Sequence, residues 1–197
     1  MIILIDNGHG IEATYKSSPD YRLIEYAYAR EIAQMLMERL KAAGYDARRI
    51  VTETKDIPLS TRYHRVNNIC DKYGEQNCVL VSIHTNAAVG KGWQGARGFS
   101  VFVSLKNASA KSKELAKMFT EQAIDQQLMG NRSIPASKYW EKDLGMCRET
   151  HCPAVLTENL FHNNREDVDF LLSLAGKEAI VTLHFEAITR YVKKYGV

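Results

Sequence analysis

The chain has 197 residues, 45% of them hydrophobic and 25% charged, with a net charge of +3. Length and composition match one globular domain, residues 1–197, with a substantial core. The mild basicity (pI near 8.6) falls short of the dense Lys/Arg face of a nucleic-acid binder, and suits an anionic polymer without demanding one. No run approaches the roughly 18 consecutive apolar residues of a membrane span. No membrane or nucleic-acid partner is expected, and a monomer is the simplest assembly. The opening MIILIDNGHG lacks a basic start, and its apolar run stops at Asp6, so no export signal is expected there.

The pattern alternates strands with helices. Ile2 to Asp6 reads as a buried strand. Ser17-Ser18-Pro19-Asp20 reads as a helix start, with Pro tolerated in the first turn. That helix should run to Ala43 and stop at Gly44, with Ile24, Tyr28, Ile32, Met35, Leu36 and Leu40 on its apolar face. Arg48 to Thr52 reads as a short strand, and Ser60 as the cap of a helix reaching Tyr73. Cys78 to His84 and Phe99 to Ser104 are further strands, and Ala108 to Leu128 an amphipathic helix. Met129 to Thr150 shows no period and reads as a surface loop. Ala154 to Glu158 is another buried strand, followed by helices over 165–174 and 177–194. Strands separated by helices predict a single-domain α/β fold, a largely parallel central sheet flanked by helices. Ligands usually sit at the ends of such strands.

Four cysteines occur, Cys70, Cys78, Cys147 and Cys152, with free thiols as the default. Cys70 and Cys78 read as packing residues. Cys147 and Cys152 bracket a short loop and could bridge under oxidising conditions.

The chemistry-bearing residues gather at strand ends. Asp6-Asn7-Gly8-His9-Gly10 follows the first strand, and glycine on either side frees the backbone around the imidazole. Ser82-Ile83-His84-Thr85-Asn86 and Thr157-Glu158-Asn159 end two others, and Glu25 falls early in the long helix. His9, Glu25 and His84 form a two-His, one-Glu set of the kind that holds catalytic zinc with one position open, leaving Glu158 as an uncoordinated acid–base group. By spacing alone the plainer reading stands beside it. A histidine at a strand end is commonly a hydrogen-bonded structural residue, and a glutamate in a first helical turn is favoured by the helix dipole.

In order along the chain, DNGHG, Glu25, VSIHTNA and AVLTENLFHNNRED resemble the zinc-dependent N-acetylmuramoyl-L-alanine amidases of the Amidase_3 type. The stretches Leu59-Ser60-Thr61-Arg62 with Val66-Asn67-Asn68, and Gly98 to Val103, extend the likeness over nearly the whole chain. Asn7 stands where that family usually has Pro, and Asn159-Leu160 where it has an apolar residue and Gly. The resemblance implies Zn2+ on His9, Glu25 and His84, Glu158 as catalytic residue, and no organic cofactor. It implies peptidoglycan as partner and hydrolysis of the amide between N-acetylmuramic acid and L-alanine, in wall lysis or remodelling. It further implies Arg148 as a cleft residue for a peptide carboxylate and Asn86 as a substrate contact. Without a leader, such an enzyme would be made in the cytoplasm and act on the cell wall, either as phage or prophage lysins do or after a leader is trimmed.

Other readings stay open. A non-catalytic peptidoglycan-binding domain could share the fold, although it would be expected to lack a ligand or Glu158. A zinc peptidase or deacylase would share the metal site. A Cys–His hydrolase at His151-Cys152 lacks a glycine-rich turn or helix start to activate the thiol. His64 and His184 read as surface or packing residues, and His162 as an ordinary loop residue beside the cleft. Trp93 and Trp140, in expected loops, could stack on sugars or cap the core.

Overall fold

The computed structural model describes residues 1–196, which form one six-stranded mixed sheet between two layers of helices. The strands are β1 (Ile2–Asn7), β2 (Asp46–Arg49), β3 (Cys78–Asn86), β4 (Ser100–Ser104), β5 (Trp140–Lys142) and β6 (Ala154–Phe161). Their spatial order is β2-β1-β3-β6-β4-β5. All neighbours are parallel except β4 and β6. The helices are α1 (Glu25–Ala42), α2 (Leu59–Tyr73), α3 (Ala110–Asp125), the single turn α4 (Gly145–Arg148), α5 (Arg165–Leu172) and α6 (Leu174–Tyr195).

The alternation of side chains along a strand divides the apolar residues of β1 between two cores. Ile3 and Ile5 join the larger core, with Ile32, Leu36 and Leu40 of α1, Leu115 and Phe119 of α3, and Ile180 and Leu183 of α6. Ile2 and Leu4 join the smaller core under α2, with Val66, Cys70, Cys78 and Leu80. Both faces of β1 and β3 are therefore covered, which is why they read as unbroken apolar runs.

Three expectations are corrected. The first concerns α1, which starts at Glu25 and not near Pro19. The Ser18 hydroxyl accepts from the Leu23 N–H at 3.0 Å and donates to Asp20 at 2.7 Å, while Ser17 bridges to Ile24. Ser and Asp serve here as turn formers, so a looped hairpin precedes the helix. In α2, Pro58 and not Ser60 occupies the cap position, and the helix begins at Leu59. Lastly, 129–150 holds β5 and α4. Strand β5 is three residues long and mostly exposed, too short to show a period.

The thiols are all free and buried. Cys152 packs in the smaller core with Cys70 and Cys78, whereas the Cys147 sulfur lies 3.9 Å from the Phe102 carbonyl. Burial pushes the Cys147 thiol up to about 12. No described helix is long and apolar enough to cross a membrane.

Candidate active site and metal centre

The C-terminal ends of β1, β3 and β6 meet at one edge of the sheet. The DNGHG turn leaves β1 there, and both glycines are required by close approach. A Cβ on Gly8 would stand 2.2 Å from the His84 ring, and one on Gly10 would stand 2.0 Å from the Asp56 backbone. His9 itself adopts φ 60, a left-handed conformation uncommon outside glycine.

A buried arginine fixes this turn. Arg62 of α2 donates to the carbonyls of Asn7 (2.8 Å) and His9 (2.9 Å), to that of Ile57 (2.8 Å), and to the carboxylates of Asp6 (2.7 Å) and Asp56 (3.1 Å). Asp6 also accepts from the Ser82 hydroxyl at 2.6 Å, tying the ends of β1 and β3 together. Sequence reasoning gave neither Asp6 nor Arg62 a role. The signal was an Asp at an apolar strand end and an Arg on a helix's inner face, each too costly to bury unless paired.

Because α1 starts late, Glu25 occupies its first position and is 2% exposed. Its Oε1 lies 3.0 Å from His84 Nδ1 and 3.5 Å from His9 Nε2, and accepts from the Thr85 N–H at 3.1 Å. The two imidazoles stand edge to face at 86°, with centroids 4.9 Å apart. One candidate ligand atom from each of the three residues lies within 4.8 Å of the others. Tetrahedral zinc with bonds near 2.1 Å separates its ligands by about 3.4 Å, so the triad fits such an ion with small adjustments. Burial alone would raise the Glu25 pKa, but the two imidazoles outweigh it and hold the carboxyl below the usual range. Burial works against charge on His84, yet Glu25 holds that ring above its ordinary value.

Glu158 pairs in register with His84 across β3 and β6. Its Oε2 is buried and has no hydrogen-bond partner. Burial pushes its pKa up to about 7, against the opposing pull of His84. Just beyond it the register shifts, two steps on β3 from His84 to Asn86 matching three on β6 to Phe161, as at a β-bulge. Asn159 and Leu160 occupy this bulge. The Asn159 amide donates to the His84 carbonyl at 3.0 Å, fixing the strand end that carries the histidine. Leu160 holds φ 62 although it is not glycine. Strain of about 1–2 kcal/mol is offset by burial of its side chain in the larger core, worth about 1.5–3 kcal/mol.

His162 is buried at the same edge, its Nδ1 3.0 Å from the Thr85 hydroxyl and 4.0 Å from Glu25 Oε2. Desolvation depresses its pKa. Asn86 is half-buried, its carbonyl accepting from the His162 N–H at 2.9 Å and its amide reaching Ser100 Oγ at 3.5 Å. Arg148 is ion-paired to Asp143 and Glu149 and does not join the triad. His151 lies 3.5 Å from Asp71, His64 is exposed on α2, and His184 is buried in α6. Arg165 covers the Trp93 ring at 4.6 Å. Trp140 lies in β5, not in a loop, with Arg132 at 5.1 Å from its ring.

A two-His, one-Glu cluster with a spare carboxylate, at the C-terminal edge of a mostly parallel sheet, places the chain among α/β folds able to hold a divalent metal. More specifically, the profile of the N-acetylmuramoyl-L-alanine amidase family matches residues 3–190, and the chain belongs to that family. Solved structures share the fold. An N-acetylmuramoyl-L-alanine amidase from Clostridium difficile 630 is 23% identical with TM-score 0.82, covering 99% of this chain and 98% of that one. The CwlV catalytic domain from Bacillus (Paenibacillus) polymyxa var. colistinus is 20% identical with TM-score 0.79, covering 98% of each chain. The CwlD amidase from Clostridioides difficile, solved in complex with the GerS lipoprotein, is 19% identical with TM-score 0.80, again covering 98% of each. No curated protein matches by sequence.

Proposed function

We propose that this protein hydrolyses the amide between N-acetylmuramic acid and L-alanine in peptidoglycan, with zinc held by His9, Glu25 and His84 and with Glu158 carrying the proton. The observation that carries this reading is the convergence of those three ligands with Glu158 in register beside His84. Zinc in such a site supplies Lewis acidity to a carbonyl and eases deprotonation of water. Glu158 takes a proton from the attacking water and delivers one to the departing alanine nitrogen. Burial raises its pKa to about 7 in the metal-free protein, and a cation at the triad would lower it toward the carboxylate form that accepts the proton. The Gly8 and Gly10 contacts hold the His9 turn close, and the Asn159–His84 bond holds the β3 end.

Asn86, half-buried beyond His84, is proposed to contact the substrate amide. Arg148 would bind a peptide carboxylate by exchanging its present acidic partners. The cell wall is the proposed place of action.

The test is digestion of purified peptidoglycan, with soluble products identified by mass spectrometry. It uses the wild type with and without chelator, and Glu158→Ala. Free stem peptides with an N-terminal alanine should appear with the untreated wild type alone. If stoichiometric zinc binds and no lactyl amide is cut, the substrate assignment is wrong.

A further inference from the structure

The triad lies between two depressions of different character. One, of about 490 Å³, contains Gly8, His9 and His84, and its outer wall is Ile57, Pro58, Leu59 and Met146. Its one arginine, Arg62, has its donors committed to backbone and carboxylate oxygens. The other, of about 420 Å³, runs between the hairpin before α1 and the loop after β3, and includes Tyr15, Tyr21, Ala88, His162 and Asn163. The first offers apolar contact along Ile57–Leu59 and Met146 beside the partly exposed Asp56 carboxylate, and the second offers hydroxyls, amides and two phenol rings.

Three observations mark the second groove as built to receive something. It adjoins the triad, because the buried His162 is at once part of its wall and 4.0 Å from Glu25. One side is braced: Asn163 accepts from the Ala88 N–H at 3.0 Å and donates to the Ala88 carbonyl at 2.8 Å, and its own carbonyl accepts from Gln94 at 2.7 Å. On the other side, Tyr15 and Tyr21 are 78% and 70% exposed, and Tyr21 holds φ 59. A bulky side chain in that conformation is strained, and here the strain brings no burial in return. The two tryptophans are covered by arginines at 5.1 and 4.6 Å, whereas Tyr15 has only the Lys16 ammonium at 6.0 Å, so both tyrosine rings stay largely exposed beside the site.

We propose that the Tyr15–Tyr21 groove binds the saccharide side of the substrate and the apolar depression the peptide side. The assignment rests on the amidase reading above. That substrate has two unlike halves joined at the scissile amide. A sugar presents an apolar ring face and a rim of hydroxyls, which matches exposed phenol rings set among hydroxyl and amide groups. Alanine methyls match Ile57, Pro58 and Met146.

The experiment uses Glu158→Gln, which can bind substrate without consuming it, alone and combined with Tyr15→Ala and Tyr21→Ala. Binding of the GlcNAc–MurNAc disaccharide and of a free stem peptide is followed by calorimetry and by NMR line broadening. In parallel, the Tyr15→Ala/Tyr21→Ala enzyme with an intact Glu158 is compared with wild type on a glycan-bearing muropeptide and on a sugar-free acyl-alanyl peptide. Disaccharide affinity should fall by about tenfold or more, as expected for the loss of two stacked rings, with stem-peptide affinity moving less than twofold. The kcat/KM preference for the glycan-bearing substrate should fall by about the same factor. Equal disaccharide affinity with and without the tyrosines overturns the proposal, as does absence of disaccharide binding or loss of peptide binding instead. Tyrosine-dependent disaccharide binding by a protein that cuts no lactyl amide would sustain the groove and sink the activity. Folding of each variant is confirmed by its melting transition.

Discussion

His84 and Glu158 stand side by side in register on the parallel strands β3 and β6, so the ligand and the proton carrier proposed above sit at the same level of the sheet. Glu158 Oε2 is buried without a partner, a costly arrangement for a merely structural carboxylate. Glu158→Gln should therefore lower kcat by about 10²–10⁴ while zinc binds in unchanged amount. Mass spectrometry of the bound metal and a peptidoglycan digest read the two effects separately. Full activity in Glu158→Gln would remove the residue from the chemistry.

The same carboxyl predicts a pH effect on stability. Its folded pKa lies near 7, above the ordinary 4.5, so its contribution is fully present below pH 4.5 and is lost as pH rises to 7. In metal-free protein, Glu158→Gln should remove that loss and be more stable at pH 8 by on the order of 2 kcal/mol. Urea titrations at pH 4.5 and pH 8 measure the difference. A gap between wild type and variant that does not widen with pH would contradict the assignment. In the loaded enzyme a nearby cation favours the carboxylate, so the acidic limb of the rate profile should fall between pH 4.5 and 7.

Arg62 holds the His9 turn from beneath. Arg62→Met keeps the volume but leaves Asp6 buried without its cation, and breaking one side of a buried pair costs about 3–5 kcal/mol. The melting temperature should drop sharply, and zinc affinity should drop with it because the carbonyls of Asn7 and His9 lose their donor. Addition of Asp6→Asn should restore part of the stability by removing the stranded charge. If the double variant is no better than the single one, the ion pair is not what fixes the turn.

The fold was largely legible because the buried strands are unbroken apolar runs and the helices between them are amphipathic. Ile2–Asp6, Cys78–His84 and Ala154–Glu158 all lie inside observed strands. What the sequence hid depends on contacts between distant segments. Ser18 and Asp20 could cap a helix or close a turn, and the pairing of Ser17 with Ile24 decides it. That choice places Glu25 at the first position of α1. Asp6, Arg62 and His162 gave no periodic signal, since their partners lie on other elements. Strand β5 exists through its pairing with β4, which no local pattern records. The candidate ligands were readable as residue types at strand ends, but their mutual distances required the crossing of β1, β3 and α1.

Gly8 offers a test of the metal centre that leaves every proposed ligand in place. A Cβ there would stand 2.2 Å from His84 Cε1 and 2.5 Å from Nδ1, so Gly8→Ala must push the imidazole aside. Zinc affinity should fall by about 10–100-fold, the range seen when the support of a ligand is lost. Gly44→Ala serves as a contrast, since nothing lies within 4 Å of a Cβ at that site. It should cost stability through its positive φ and leave zinc affinity alone. Competition with a chromogenic chelator measures both, and equal affinities in the two variants would count against His84 as a ligand.

His184 predicts the opposite pH slope from Glu158. It is fully buried, its Nδ1 2.8 Å from the Ile180 carbonyl and its Nε2 3.0 Å from Thr157 Oγ1. A carbonyl can only accept, so Nδ1 carries the proton and Nε2 accepts from the threonine hydroxyl. Burial pushes the pKa down to about 4. The unfolded chain therefore takes up a proton near 6.5 that the folded chain refuses, and stability present above pH 6.5 is lost as pH falls toward 4. The loss amounts to about 3 kcal/mol over that window. His184→Gln should flatten it, at a cost of about 1–3 kcal/mol at pH 7 if the buried hydrogen bonds are not remade. The two windows overlap with opposite sign, so wild-type protein without metal should be nearly flat between pH 4.5 and 6.5, with the His184 loss emerging below that range and the Glu158 loss above it. Urea titrations of both single variants across pH 4–8 separate the two arms, and an acidic arm that survives His184→Gln intact would assign it to another group.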